Sequence, residues 1–531
     1  MSRNIVSEMT NHTKIISLFQ KNKHKKWNEW LSFNTTFKNP GKQGLVGLMD
    51  VNETGEKVVF KISQYINYLA EHEFAVMKGL NRIALFCPHF CKGIGIVECK
   101  VDPSNRKSGN PFEKTSKYPI KKNILLMEHI DKANKLCSYI KNTSIGEDVI
   151  YSTVKQVLLG ILIAQRKTQF THYDLHSDNV MLRKCSKNLV FLYVIDEHNQ
   201  YAVPSNGYYP VIIDYGFSYI KDMQDNALWP SMAHTDIGFI SDRFDWLSDP
   251  KLFLVTVSSE LKEERGTKSS KKFRKIVRNL FYPLKIDWEA GWDDLNDMGA
   301  IDYVSELLSR ESSKSELFKD YHHYCFDIIQ TLITLPLTPQ NSSNIKVSYK
   351  AFLQEFVKIE NEIGSPFFML YILKGIVDSA RKVSCEYWSG DRKKAISTFR
   401  HDMYEKIEEV TKFCSVKNMN YEIMLCSLYV LSKNMEGVIY EVINERMKDK
   451  QKEYNKLPVQ SIEQIFGVIS TNIPCNYTYS NDTTVLVLDC VKELCYPCQV
   501  QEKDLEELNN TDSLSQGTFL YSLYCDNELV N

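Results

Sequence analysis

The apolar residues of this chain change their period along its length, and each change marks an element. Residues 44–63, GLVGLMDVNETGEKVVFKIS, carry apolar stretches on both sides of the turn-rich connector NETGEK, which predicts a β-hairpin. In YLAEHEFAVMKGLNRI the positions Leu69, Phe74, Met77 and Leu80 fall at helical spacing, so a short amphipathic helix follows. FCKGIGIVECK and KNILLMEHI read as strands, separated by a polar loop around VDPSNRKSGNPFEK. This order predicts a small sheet with one helix.

Beyond Ile130 the pattern turns helical, first at Val154, Val157, Leu158, Ile161 and Leu162, then over 351–384, 400–434 and 436–452. Two short strands, NVMLR and PVIIDYG, interrupt it. The chain divides into an N-terminal extension or capping helix (1–35), a small β-rich lobe (36–130), a large helical lobe with inserts (131–455) and a C-terminal segment (456–531). The last part mixes the strand-like TTVLVLDCV with acidic loops and fits no architecture by pattern alone. The class expected is α+β, with no internal repeat.

Composition narrows the function by exclusion. With 65 basic and 66 acidic residues the net charge is -1, so no global field draws the chain to nucleic acid or membrane, and neither is expected as a partner. Its 14 cysteines are scattered, many in apolar runs such as MLCSLYV, as in a reducing compartment. The start MSRNIVSEMTNHTK has no apolar core, and VLLGILIA (157–164) is too short to span a bilayer. A soluble intracellular protein is expected. Cys475, Cys490, Cys495 and Cys498 have the irregular spacing of scattered thiols more than of a zinc knuckle. KEERGTKSSKKFRK (262–275) reads as a solvated, mobile loop, or as a docking patch for acidic or phosphate-bearing substrates.

FTHYDLHSDNVMLRK (170–184) carries the chemistry. Phosphoryl transfer needs an acceptor for the nucleophile's proton, ligands for Mg²⁺ and a cation on the nucleotide phosphates. Asp174 suits the first role, and Asn179, five positions on, offers a carbonyl to a metal. Asp214 leaves the apolar strand PVIIDYG beside Gly216, well placed as the principal Mg²⁺ ligand. Lys61 in VVFKIS can reach phosphates, held there by Glu73 or by its near neighbour Glu71, with the spacing to Leu80 favouring Glu73. In GKQGLVGLM, Gly44 and Gly47 either let backbone N–H groups approach phosphate or form an ordinary glycine-rich turn. Taken singly, each residue has an ordinary structural explanation; their order and spacing together point to one cleft.

HYDLHSDN, DYG, VVFKIS, EFAVMKGL and LLMEHI together resemble the eukaryotic-type protein kinase superfamily over roughly residues 40 to 250. The resemblance implies a bilobal protein-kinase-like fold: a small antiparallel β-sheet N-lobe with one regulatory helix, and a large mainly helical C-lobe. It implies ATP with Mg²⁺, or Mn²⁺, as cofactors, and serine/threonine-bearing proteins as substrates. Met127 would be the gatekeeper, Glu128 to Ile130 the hinge facing adenine, and Asp245 in FDWLSD the anchor of the catalytic loop. Gly44 and Gly47 match the second and third glycines of the family's loop, with Lys42 at the first and Gly41 displaced by one. His172 would brace the catalytic loop.

The departures are similar to haspin-like kinases and to serine/threonine kinases of large cytoplasmic DNA viruses. His176 stands where a lysine meets the γ-phosphate, Tyr215 replaces phenylalanine, no A-P-E follows, and an insert precedes IIDYG. Tyr173 replaces the arginine that receives an activation-loop phosphate, so activity is not expected to need one. A viral origin would place the protein in host cytoplasm or virion. Three function classes fit: a protein kinase, a small-molecule phosphotransferase of the same fold, and a nucleotide-binding pseudokinase scaffold.

Overall fold

The hairpin read at 44–63 forms, but it sits inside a larger sheet. The computed structural model describes residues 14–37, 44–63, 67–101, 110–113, 120–221, 244–284, 451–475 and 477–528, with positions 5, 286 and 448. Strands β1 (Leu31–Thr36), β2 (Gly44–Val51), β3 (Lys57–Ser63), β4 (Gly93–Val101) and β5 (Ile120–Glu128) form an antiparallel sheet ordered β1-β2-β3-β5-β4. Gly55, at φ 70°, supplies the left-handed residue that turns β2 into β3. Helix α1 (Asn67–Ile83) buries Val76, Met77, Leu80 and Ile83 in the core against one face of this sheet. The Asn81 amide locks it there, donating to Gly93 O at 2.8 Å and accepting from Gly93 N at 3.0 Å.

The opposite face is covered from within the segment read as an extension. Ile15, Phe19 and Trp30 pack with Phe60, Ile94 and Leu126, and Phe112 closes the cluster against Phe60 at 5.2 Å between ring centroids. The polar, basic look of the first 35 residues hid β1, whose burial alternates irregularly.

The rest is built on α3 (Glu147–Thr168), which follows the short α2 (Leu136–Lys141) and is buried on every side from Ile150 to Gln165. Around it lie α4 (Ser248–Glu264), α5 (Lys268–Phe281), α6 (Ile462–Asn472) and a three-stranded sheet ordered β10-β7-β6. That sheet contains β6 (Asn134–Lys135), β7 (Val180–Lys184) and β10 (Tyr208–Ile212), so the two strands read around the candidate loop pair with each other. Both parts are joined through one apolar core. The fold is α+β with antiparallel sheets and several helices, which is compatible with two lobes. The helical periods at 351–384, 400–434 and most of 436–452 lie outside the described residues.

The insert before IIDYG folds as β8 (Leu189–Val194) and β9 (Gln200–Pro204). The C-terminal segment supplies their partners, β11 (Thr484–Asp489) and β12 (Leu494–Gln499), giving a mixed sheet ordered β12-β11-β8-β9. Strand β8 pairs in parallel with β11 from Leu189↔Thr484 to Val194↔Asp489. Its unbroken apolar run LVFLYV follows from this central place: Leu189, Phe191 and Tyr193 enter the main core, while Val190, Leu192 and Val194 face Val485, Val487 and Leu520. After α7 (Leu505–Asn510), α8 (Gln516–Glu528) crosses β9 so closely that a Cβ on Gly517 would lie 2.2 Å from Gln200 O.

The basic run at 262–275 is ordered, which corrects the loop reading. Gly266 (φ 59°) ends α4, Thr267 caps α5 by accepting from Ser270 N, and Arg274 is buried. Arg265 turns back to donate to the carbonyls of Tyr139, Ile140, Asn142 and Ile145 at 2.7–2.9 Å, closing the end of α2. A lysine cannot span that fork, so Arg265→Lys should cost about 2–3 kcal/mol in chemical denaturation.

His89 is fully buried, with Nδ1 donating to Pro210 O at 3.0 Å and Nε2 accepting from Tyr193 OH at 2.7 Å. Burial pushes its pKa down to about 4. Below the ordinary histidine value the unfolded chain therefore takes up a proton that the folded chain refuses, and stability is lost as pH falls from 6.5 toward 4. His89→Gln keeps a donor and an acceptor in place. Urea denaturation at pH 6 and 4.5 should show its acid slope reduced by about 1 kcal/mol per pH unit relative to the parent.

Candidate active site

Each candidate side chain is delivered by the end of a regular element. β3 carries Lys61 on the middle of its ladder, opposite Leu125. α1 presents Glu73, which is 3% exposed. The turn after β10 brings Asp214. The three converge: Lys61 Nζ lies 2.8 Å from Glu73 Oε2 and 2.7 Å from Asp214 Oδ1. Glu73 is therefore the residue that meets Lys61, and its other oxygen accepts from Tyr215 N at 3.2 Å. Burial alone would depress the lysine, but the carboxylates of Asp214 and Glu73 outweigh it and hold Lys61 above its ordinary value. Burial raises Glu73, while Lys61 overcomes burial at Asp214 and lowers it. The centre thus carries a fixed positive charge between two carboxyls.

The second cluster is the loop between α3 and β7. The Asn179 amide donates to Asp174 O at 2.9 Å and to Asp174 Oδ2 at 3.1 Å, fixing the acid by the amide five residues on. His176 Nδ1 accepts from Asp178 N at 3.3 Å, and its Nε2 stands 3.6 Å from Asp174 Oδ1. His172 is wholly buried, with Nδ1 accepting from Asp174 N at 3.2 Å and Nε2 donating to Ile213 O at 3.0 Å. Desolvation drops its pKa to about 4, so it is a neutral brace. With Ile213 N donating to Asn179 O at 3.0 Å, this loop and the Asp214 turn form one unit. Asp178 turns away to Cys137 and Lys135.

Tyr173 and Asp214 both take left-handed backbone, φ 62° and 66°. For a bulky residue such as Tyr173 this costs on the order of 1–2 kcal/mol, so something must hold it. The holder is Asp249, whose Oδ2 accepts from His172 N at 2.8 Å and Oδ1 from Tyr173 N at 2.9 Å. This corrects the anchor expected at Asp245, four residues earlier in the same FDWLSD. Asp245 caps the start of α4 through Leu247 N and Ser248 N, and accepts from Tyr454 OH. Burial pushes Asp249 up to about 7. Its place in the first turn of α4 was the signal available in the sequence, and matching the first aspartate of the pair overlooked it.

Tyr215 gains its hydroxyl a purpose that phenylalanine would lack. The OH donates to Ile212 O at 2.6 Å and accepts from Cys91 N at 3.0 Å, while the ring lies against His172. Sequence reasoning also passed over Ser177, which donates to Glu260 Oε1 at 2.7 Å and ties the loop to α4.

Gly44 and Gly47 both lie in β2, and Gly47 pairs with Phe60 on one side and Thr36 on the other. A Cβ at Gly47 would come within 2.3 Å of Thr35 O and 2.6 Å of the Phe60 ring, so packing against β1 and β3 explains this glycine. The β1–β2 connection at 38–43, with Gly41 and Lys42, lies outside the described residues. Met127 is buried opposite Val59 and Gly93. Glu128 donates from its backbone to Lys92 O at 2.9 Å and accepts from Lys92 N at its carboxylate, and Ile130 is buried in the main core. The cysteines do not converge. Cys490 and Cys495 enter the main core, Cys498 faces the opposite cluster, and no group of three metal-type ligands occurs among the described residues.

No protein-family model matches the chain. It is similar to uncharacterized protein 098R of Invertebrate iridescent virus 6, 27% identical over 521 residues, 86% of this chain and 85% of that one. Uncharacterized protein 038R of Invertebrate iridescent virus 3 is also 27% identical, covering 86% of each chain. A shorter match, again at 27% identity, joins 197 residues (37% of this chain, 33% of the other) to a protein of the latter virus named probable kinase 098L. These relatives come from invertebrate iridescent viruses. Among the described residues no helix is long and apolar enough to cross a membrane.

Proposed function

We propose that this chain is an ATP-dependent protein kinase that transfers the γ-phosphoryl group to serine or threonine hydroxyls of proteins. The observation that carries the reading is the joining of two clusters: the Lys61–Glu73–Asp214 centre and the Asp174–Asn179 loop, tied through Ile213. Similarity to a viral protein named a probable kinase supports it. The haspin-like affinity rests on the motif departures alone.

The donor set fits a hard cation with nucleotide phosphates. Asp214 Oδ1 is committed to Lys61 and the Asn179 amide nitrogen to Asp174, while Asp214 Oδ2 and Asn179 Oδ1 make no hydrogen bond among the described residues. A carboxylate and a carbonyl beside substrate phosphates are what Mg²⁺ takes. When bound, the ion would neutralise phosphate charge. Lys61 stays charged and meets the same phosphates. Asp174, held by Asn179, orients the acceptor hydroxyl and takes its proton. His176, beside Asp174, adds a polar contact toward the transferred group.

The test is transfer of labelled γ-phosphate from ATP with Mg²⁺ to a protein mixture, followed by identification of the phosphorylated amino acid. Label on serine or threonine is expected. Label on tyrosine would change the acceptor, and label only on small molecules would move the reading to the phosphotransferase class. Absence of any label, with ATP bound, would make the chain a pseudokinase. Lys61→Met, which removes the cation, should lower transfer by about 10²-fold or more at saturating substrate.

A further inference from the structure

A buried lysine side chain needs a polar partner, and α3 holds one whose partner is a thiol. Lys155 is 4% exposed, and its only hydrogen-bond partner among the described residues is the Cys475 thiol, with Nζ 3.4 Å from Sγ. The two belong to distant parts of the chain, 320 positions apart: Lys155 to the central helix, Cys475 to the segment between α6 and β11. Beside them is a cavity of about 10 Å³, room for one water-sized molecule, lined also by Tyr201, Phe466, Ser470 and Gln516. The Ser470 hydroxyl is buried there without a hydrogen-bond partner among the described residues. Cys475 is half-buried and lines the same cavity, which has room for one small oxidant molecule beside its sulfur.

We propose that hydrogen peroxide converts this pair into a reversible covalent crosslink, a sulfenamide between Lys155 Nζ and Cys475 Sγ. In the first step the sulfur of Cys475 attacks one peroxide oxygen. The O–O bond breaks, water leaves, and Cys475 becomes a sulfenic acid, oxidised by two electrons as the peroxide is reduced. In the second step Lys155 Nζ, having released a proton to water, attacks that sulfur with its lone pair. An S–N bond forms, the S–O bond breaks, and the departing hydroxide takes the remaining proton as water. No further oxidant is consumed. Two equivalents of an external thiol return the free lysine and cysteine and leave as a disulfide. The 3.4 Å separation is already a near-attack distance, so the second step needs no rearrangement of α3. The bond fastens the C-terminal segment to the helix that leads directly into the Asp174 loop.

The full-length chain, treated with hydrogen peroxide, blocked with a thiol reagent and digested with trypsin, decides the matter by mass. The expected result is a missed cleavage after Lys155, with that peptide joined to the one containing Cys475 at the sum of their masses less two hydrogens. The species disappears on treatment with dithiothreitol. Cys475→Ser removes it, and Lys155→Arg leaves Cys475 to proceed to the sulfinic acid. Cys475 found as sulfinic acid, as a disulfide or unmodified in the parent, with Lys155 cleaved normally, would overturn the proposal. A bridge that retains the oxygen would overturn the condensation step. Because the parent protein supplies the decisive spectrum, a variant that fails to fold leaves the test intact.

Discussion

Asp174→Asn is expected to lower phosphoryl transfer by about 10²- to 10⁴-fold while leaving the protein folded and ATP bound, the range for removing a positioned general base. The geometry makes this a clean substitution. Asp174 Oδ2 accepts from the Asn179 amide at 3.1 Å, a bond that an amide oxygen at 174 can replace, and its backbone contacts do not involve the carboxyl. What is lost, in the proposed mechanism, is the basic oxygen that takes the acceptor's proton. The measurement is transfer of labelled phosphate beside calorimetric ATP binding and a thermal melt. Lost transfer with unchanged binding and melting supports the assignment. Transfer that survives the substitution would remove Asp174 from the mechanism.

Asp249→Ala is expected to cost about 3–5 kcal/mol of stability and to abolish transfer, although the residue touches neither nucleotide nor acceptor in the proposed mechanism. Two buried N–H groups, those of His172 and Tyr173, lose their acceptor at once. Each orphaned donor costs about 1–3 kcal/mol, and the left-handed Tyr173 loses the bond that holds it there. Asp249→Asn retains one acceptor but turns an amide donor toward the other N–H, so an intermediate loss is expected. The control is Asp245→Asn, which keeps an oxygen for the helix cap and should change transfer by less than about threefold. Chemical denaturation and transfer assays on the three variants separate the anchor from the cap. If Asp245→Asn were the damaging one, the anchor would belong where the sequence pattern first put it.

Legibility in the sequence followed how local each signal is. The β2–β3 hairpin, α1, β4, β5, β7 and β10 stand where the apolar periods and turn residues put them, because each is set by contacts within its own stretch. The candidate polar residues were visible for a similar reason: Asp174 and Asn179 share one loop, and Lys61 and Glu73 sit on consecutive elements. Gly47 shows the limit. The close approach of Thr35 O and Phe60 that requires a glycine there leaves no mark in the sequence, and only the register with β1 shows it. FDWLSD shows it again, since Asp245 precedes α4 and Asp249 lies in its first turn, and which carboxylate meets the loop depends on how the start of the helix docks against it.

The sequence by itself determined the period of each local element and the set of ionisable side chains available for chemistry, because both are properties of short stretches of chain. The tertiary structure alone decided which partners those elements found. The apolar run LVFLYV could not reveal that its sheet neighbour lies at 484–489, since parallel pairing across so long a separation is fixed by the shared core and leaves no local trace. For the same reason the meeting of Lys61 with Asp214 across 153 positions, and of Lys155 with Cys475 across 320, exists only once the chain has closed on itself.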